Sequence, residues 1–441
     1  MARTPEQNNA IITGNIPRQL LLFFFPIWLG TMFQQLYNTV DTLIVGNFVG
    51  TQALAAVGAT SSFVQLLVGL FVGLCSGAGV IIAQSFGAGN HDEVNRQVHT
   101  ALALAIAGGA ALTVIGLLIS RPVLRLMQTP DEIVGMASEY LQIYFLGMIP
   151  QMIYNMGTNI LRAVGDSKRP LYFLIVASIV NIVLDIVLVA VSAVLTVRCI
   201  HGSQGMPWHL QLKNIRIERS VLLAICRIGL PGAAQSALYS ISNMTIQSAI
   251  NGFGTVAVAA WSVYGKIDFL FWMTVSSFGI AVTTFAGQNF GARQYDRVRR
   301  GTMTCLAMTA GTTLCISLAL YPSAQLLFRL FSSDDAVVAQ GVQMMHYLVP
   351  VYMTYICIEI FSGALRGCGD VRVPTIITVF AVCIMRIVWL AVALPFKHEL
   401  SVVEFSYPLT WITATVLFAI YYAKGGWMQR CIAAQNAKTQ G

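Results

Sequence analysis

Charge is what this sequence has least of. Only 10% of its 441 residues are Asp, Glu, Lys or Arg, against roughly 25% in an ordinary soluble domain. That excludes a soluble globular enzyme. It has no CxxC pair, no HExxH and no phosphate-binding loop, so zinc chemistry and ATP-driven pumping have no sequence support. The nine cysteines (Cys75, Cys199, Cys226, Cys305, Cys315, Cys357, Cys368, Cys383, Cys431) stand apart, most of them inside apolar runs. They read as small buried hydrophobes. No cleavable leader is expected, because a polar tail (Arg3, Glu6, Gln7, Asn8, Asn9) runs straight into an apolar stretch too long for one.

Apolar length is what the sequence has instead. Hydrophobic residues make up 56% of the chain, and the mean hydropathy is +0.71. Eleven apolar segments lie near 20–48, 53–83, 98–120, 133–161, 170–200, 220–249, 255–287, 302–321, 336–364, 373–396 and 402–423. Their lengths suit bilayer-crossing helices of about 20 residues, and none alternates as porin strands do. The expected fold is an all-α polytopic membrane protein. With a cytoplasmic N-terminus and twelve crossings, 19 of the 26 Lys and Arg residues fall on inside segments. Four (Arg121, Arg125, Arg329, Lys397) fall outside, and Arg227, Lys266 and Arg386 lie within spans. This asymmetry explains the net charge of +8 without a nucleic-acid partner. It places both termini on the cytoplasmic side of a bacterial-type plasma (inner) membrane.

The chain repeats itself at a register of 204 residues. Asn47, Gly50, Thr51 and Ala53 return as Asn251, Gly254, Thr255 and Ala257, and Gln84, Phe86, Gly87 and Ala88 as Gln288, Phe290, Gly291 and Ala292. Leu161, Arg162, Gly165 and Asp166 return as Leu365, Arg366, Gly369 and Asp370. Both copies have the same charge sidedness, so the expectation is two parallel-repeat bundles of six helices, an architecture common in transporters. The expected division is an N-terminal bundle over 1–200, a basic cytoplasmic linker over 201–219, a C-terminal bundle over 220–425 and a cytoplasmic tail over 426–441. The run 170–200 is too short for two crossings, so a sixth helix is expected to be shortened or missing.

Ionisable groups inside a membrane are functional candidates, because each is costly there. Asp41 shares a helical face with Gln34, Tyr37 and Asn38, and Asn181 shares one with Asp185. If the two faces meet, two carboxylates and an amide form a pocket able to hold and release a proton. Pro26 removes a backbone donor from the first helix and should loosen it; Pro231 is read as a second hinge. Lys266 and Asp268 are too close in sequence to face each other, and Glu359 and Arg386 read as a mutually neutralising pair. Trp261, Trp272 and Met273 read as packing or lipid-facing residues, as do Met148, Met152 and Met156.

The motifs LLFFFPIWLG, NTVDTLIVGNFVGTQALAAVG, IIAQSFGAGNHDEV, NILRAVGDSKRP and RIGLPGAAQS resemble the multidrug and toxic compound extrusion (MATE) transporters. So do the second-half echoes GFGTVAVAA, AGQNFGARQYDRVRR and GALRGCGD. The resemblance runs from about residue 15 to 425 and is strongest to the DNA-damage-inducible and archaeal-type branch. It implies alternating access and the exchange of organic, cationic and amphipathic compounds for protons or sodium, with no cofactor beyond that coupling ion. It further implies coupling through Asp41, Asn181 and Asp185, with Thr196 as a hydroxyl from the short sixth helix. Gln34, Tyr37, Asn38 and Asn155 would line the cavity. Expected partners are small organic cations and membrane lipids, and the protein is expected to be a monomer. The alternatives are a lipid-linked-precursor flippase of the same superfamily, which calls for a more cationic cavity, and a non-functional deletion variant. A GxGD intramembrane protease is disfavoured, because Asp296 and Asp370 fall in basic loops. A channel stays open as a minor reading.

Overall fold

A computed structural model describes residues 10–44, 51–126, 131–181, 197–198, 217–332, 334–424 and 426–440. All regular structure among the described residues is helical. After a single helical turn at Ala10–Thr13, the helices of the first half are α1 (Ile16–Ile44), α2 (Thr51–Gly87), α3 (His91–Leu126), α4 (Asp131–Leu146), α5 (Met148–Ala163) and α6 (Lys168–Asn181). Then come α7 (Arg219–Asn251), α8 (Thr255–Gly291), α9 (Tyr295–Phe331), α10 (Asp335–Leu348) and α11 (Ile356–Gly367). The last are α12 (Arg372–Thr378), α13 (Met385–Phe396), α14 (Leu400–Ala423) and α15 (Gly426–Gln440). A 3-10 segment (Val349–Thr354) joins α10 to α11, and a π-helical one (Val379–Ile384) joins α12 to α13. Among the described residues, nine helical stretches are long and apolar enough to cross a membrane. The apolar run near 133–161 is interrupted at Gly147 and therefore splits into α4 and α5. The stretch where a sixth helix is expected to be shortened or missing lies largely outside the described residues.

The 204-residue register holds in the backbone. Helices start at 51 and 255, 91 and 295, 131 and 335, and 168 and 372. Two turns explain why. After α5, Gly165 takes φ 93° and Asp166 N–H donates to Leu161 O; after α11, Gly369 takes φ 90° and Asp370 N–H donates to Leu365 O. Glycine is needed there because the left-handed conformation that ends these helices is strained for side chains bearing a Cβ.

The chain forms two compact units, Leu21–Ser236 with the first 13 residues, and Ala237–Gly441 with Gly14–Leu20, so the division falls inside α7. In the first unit Phe145, Met148, Met152 and Met156 are fully buried, and small residues let two helices meet at backbone distance. A Cβ on Gly73 would lie 2.5 Å from Ala233 N, and one on Gly77 would lie 2.6 Å from Gly229 N. This is small-xxx-small packing, in which helix association in lipid rests on close van der Waals contact. The core of the second unit is aromatic, with Phe271, Phe278, Phe328 and Phe418 fully buried. Cys75, Cys305, Cys368, Cys383 and Cys431 are buried, Cys226 and Cys357 are intermediate, and Cys315 is exposed; Cys199 lies outside the described residues.

Candidate functional site

Asp41 lies in the last turn of α1 and Asn181 is the final residue of α6. The side chains of Tyr37, Asn38, Asp41 and Asn181 are outside the described residues, as are Asp185 and Thr196 altogether. Gln34 is exposed on α1, and Asn155 is half-buried on α5, where its carbonyl accepts from Asn159 Nδ2 at 2.9 Å. The helices carrying Asp41 and Asn181 do touch. A Cβ on Gly30 of α1 would lie 3.4 Å from Leu174 Cδ2 and 3.6 Å from Leu171 Cδ1 of α6. Pro26 sits one turn before that contact inside continuous α1, and Pro231 sits inside α7 between Gly229 and Ala233, where α7 packs on α2. Pro122, Pro322, Pro395 and Pro408 are also intrahelical, so a proline within a helix does not by itself mark a hinge here.

The second unit holds a polar cluster that the sequence reading did not assemble. Tyr264, Asp268 and Trp272 are spaced four apart on α8, which puts them on one face. Trp272 Nε1 donates to Asp268 Oδ2 at 2.6 Å, and the Tyr264 and Tyr352 hydroxyls, 3.1 Å apart, turn toward the same carboxylate. Asp268 Oδ1 is shut off from solvent and takes no hydrogen bond of good geometry among the described residues. Phe271 stacks flat on Tyr352 at 4.0 Å, and Trp272 meets Tyr355 and Trp411 edge-on at 4.6 and 6.0 Å. The 3-10 segment carries Tyr352 into this wall. Trp272 thus binds the acid rather than facing lipid, and the i, i+4 spacing was the signal for it.

One expected pairing does not form. Glu359 is not neutralised by Arg386. Its Oε1 lies 3.7 Å from Arg366 Nη2 and its Oε2 accepts from Tyr355 Oη at 3.4 Å. Arg386, just past the π-helical segment, donates to Thr410 Oγ1 at 3.2 Å and lies over the Tyr407 ring at 4.4 Å. An arginine packs its flat guanidinium on an aromatic face without needing a carboxylate. Lys266 is exposed, with Nζ 5.6 Å from the centre of the Phe331 ring. Glu404, only 3% exposed on α14, was missed because it stands so near the start of its apolar run. The loop acids behave as turn residues. Asp166 Oδ1 accepts from Lys168 N and Arg169 N at 3.1 Å each, and Asp370 accepts from the Tyr421 hydroxyl.

Comparison with known proteins agrees with this double architecture. The MatE family pattern matches twice, over residues 26–187 and 231–392. Probable multidrug resistance proteins YoeA and YpnP of Bacillus subtilis are each 27% identical over 433 residues, covering 92% and 94% of this chain and 93% and 96% of their own lengths. A FAD transporter of Shewanella oneidensis is 23% identical over 75% of this chain and 78% of its own length. Among solved structures, the outward-facing conformation of a multidrug resistance MATE family transporter superposes with a TM-score of 0.87 at 20% identity. That alignment covers 97% of this chain and 98% of the other. A MATE crystal structure in the bent conformation gives 0.88 at 20% identity, with full coverage of both chains. This chain belongs to the MATE family and is a membrane transporter, not an enzyme.

Proposed function

We propose that the protein is a secondary antiporter that expels organic, cationic and amphipathic compounds in exchange for protons or sodium by alternating access. In this reading it works as a monomer in a bacterial inner membrane, with both termini in the cytoplasm. Coupling runs through Asp41, Asn181 and Asp185, assisted by Thr196, with Gln34, Tyr37, Asn38 and Asn155 facing the substrate. The supporting observation is the contact between α1 and α6. Asp41 stands eleven residues past Gly30, and Asp185 stands eleven residues past Leu174 in sequence. If α1 and α6 are the first and fifth crossings, they run in the same direction. If the fifth crossing also runs on as a helix through Asp185, equal counts from a shared contact bring both acids to one depth, about 16 Å along their helices. Two acids at one depth inside the membrane would give an incoming ion a shared site, which suits exchange for an organic cation.

Asp268 supports a second reading, in which the exchange site lies in the second unit. Its carboxylate and aromatic walls offer a bound cation an acidic group and several ring faces. Efflux of a fluorescent organic cation from proteoliposomes under an imposed pH gradient, with and without sodium, separates the two. The first reading expects Asp41→Asn and Asp185→Asn each to abolish gradient-driven flux while Asp268→Asn retains it. The opposite pattern moves the site to the second unit. Absence of flux from folded wild-type protein under both gradients, with flux of an anionic dinucleotide instead, overturns the cation assignment.

A further inference from the structure

Two adjoining cavities open where the segment Gly14–Pro17 lies along the first turns of α9. The larger, of about 610 Å³, has Arg297, Arg299 and Arg300 on the α9 side, with Met303 beside them. The smaller, of about 420 Å³, shares Arg297 and Arg300 and adds Arg293. Arg297 and Arg300 stand three apart on α9 and share a face, and Arg293 joins them in the smaller cavity from the turn before the helix. Arg297 Nη2 donates to the Gly14 carbonyl and its guanidinium lies 5.6 Å from the centre of the Phe285 ring, which ties the two walls together.

The repeat makes this charge conspicuous. At the matching place before α3, Gly89 takes φ 70°, whereas here Arg293 takes φ 59° and is the sole non-glycine residue with positive φ among the described residues. An arginine is therefore held in a conformation that favours glycine. Glu93 in the first half becomes Arg297, and Asn95 becomes Arg299. Arg96 is closed off by Glu93 and by Glu218 Oε1 at 3.3 Å. Its counterpart Arg300 makes no ion pair among the described residues, nor do Arg293 and Arg299. Against these four cations stands one lining acid, Asp296. The N-terminal end of α9 adds its own positive pole.

We propose that this basic cavity binds a phosphate-bearing anion. Arginine forks match phosphate oxygens two at a time. The apolar shelf beside them, formed by Ile16, Pro17 and Met303, which is 51% exposed, favours a phospholipid headgroup whose chain lies along the helix. Basic pockets at the ends of membrane helices hold lipid headgroups by this arrangement.

The test is thermal unfolding and native mass spectrometry of the full-length protein in neutral detergent, titrated with phosphatidylglycerol, phosphatidylcholine, inorganic phosphate or pyrophosphate at matched ionic strength. The variant is Arg293→Gly with Arg300→Gln. Its turn has a working precedent in Gly89, so loss of binding is not loss of fold. Arg96→Gln in the first half is the control. Phosphatidylglycerol should raise the midpoint of the wild type and of the control, and the double variant should bind it about tenfold or more weakly, since each arginine near a headgroup is worth about fivefold. A shift with phosphatidylglycerol alone assigns a lipid; an equal shift with phosphate or pyrophosphate assigns a soluble phosphate compound. Equal stabilisation by phosphatidylglycerol and phosphatidylcholine, with none from phosphate, overturns the proposal. So does a phosphatidylglycerol effect that survives intact in the double variant.

Discussion

The two hairpins that join α2 to α3 and α8 to α9 have the same backbone and opposite chemistry. In the first, Ala88 N–H donates to Gln84 O and Asn90 N–H to Ser85 O. In the second, Ala292 N–H donates to Gln288 O and Gln294 N–H to Asn289 O. The same holds deeper in the bundles, where the Thr113 hydroxyl donates to Phe145 O at 2.8 Å and Ser317, its repeat mate, to Val349 O at 3.4 Å. Yet the first hairpin carries Asp92 and Glu93 beside Arg96, and the second carries four arginines and one aspartate. Backbone geometry in this protein is fixed by turns, small residues and hydroxyl-to-carbonyl bonds. Charged and aromatic side chains are free to differ on top of it.

The strongest way to break the comparison is to overfill a contact that only one half has. Gly77→Val would drive a branched side chain into the backbone at Gly229, where a single Cβ already lies 2.6 Å from a nitrogen. Its counterpart Ala281 carries a side chain already and is 1% exposed. We expect Gly77→Val to cost about 3 kcal/mol or more, seen as loss of the monodisperse peak in size-exclusion chromatography after mild heating. Gly367→Ala adds only one methyl group and should cost less, about 1–3 kcal/mol, the new Cβ meeting the Thr283 carbonyl. The reciprocal Ala163→Gly in the first half should cost only about 1 kcal/mol, the helix penalty of glycine. A thermal melt that ranks these two the other way would show that the halves pack α5 and α11 alike.

The smallest effect sharpens the comparison. Asp166→Ala removes a helix-capping acceptor for Lys168 and Arg169 and should lower stability by about 1 kcal/mol, read as a small drop in the melting midpoint. Asp370 is used differently, since Tyr421 donates to it and Arg430 Nη2 donates to Tyr421 Oη at 2.7 Å. Asp370→Ala should therefore speed proteolysis between α14 and α15 with little change in the global melt, whereas Asp166→Ala should leave that cleavage rate unchanged.

Much of this was legible in the sequence. Apolar length gave the helices, and the echo of Gly165-Asp166 in Gly369-Asp370 gave matching turns. The break at Gly147 was not legible, because a single residue in an apolar run leaves no hydropathy signal. Nor were the partners of Glu359 and Arg386, which depend on how α11, α13 and α14 pack. Asp268 could have been placed, since Tyr264 and Trp272 flank it at helical spacing. An even scatter of tryptophans through the second half hid the pair that mattered.

The seam through α7 has a consequence for dissecting the protein. Residues 201–219 look like the natural place to cut two repeats apart. A fragment ending there would leave Gly73 and Gly77 without the Gly229–Ala233 stretch on which they close. What remained would be a bare strip of backbone-level surface, open to any other small-residue helix in the bilayer. Half-proteins severed at the linker should then scavenge foreign helices, while a fragment carried through to Ser236 should keep to itself. The two repeats are thus not separable beads, because the first is finished by amino acids encoded in the second.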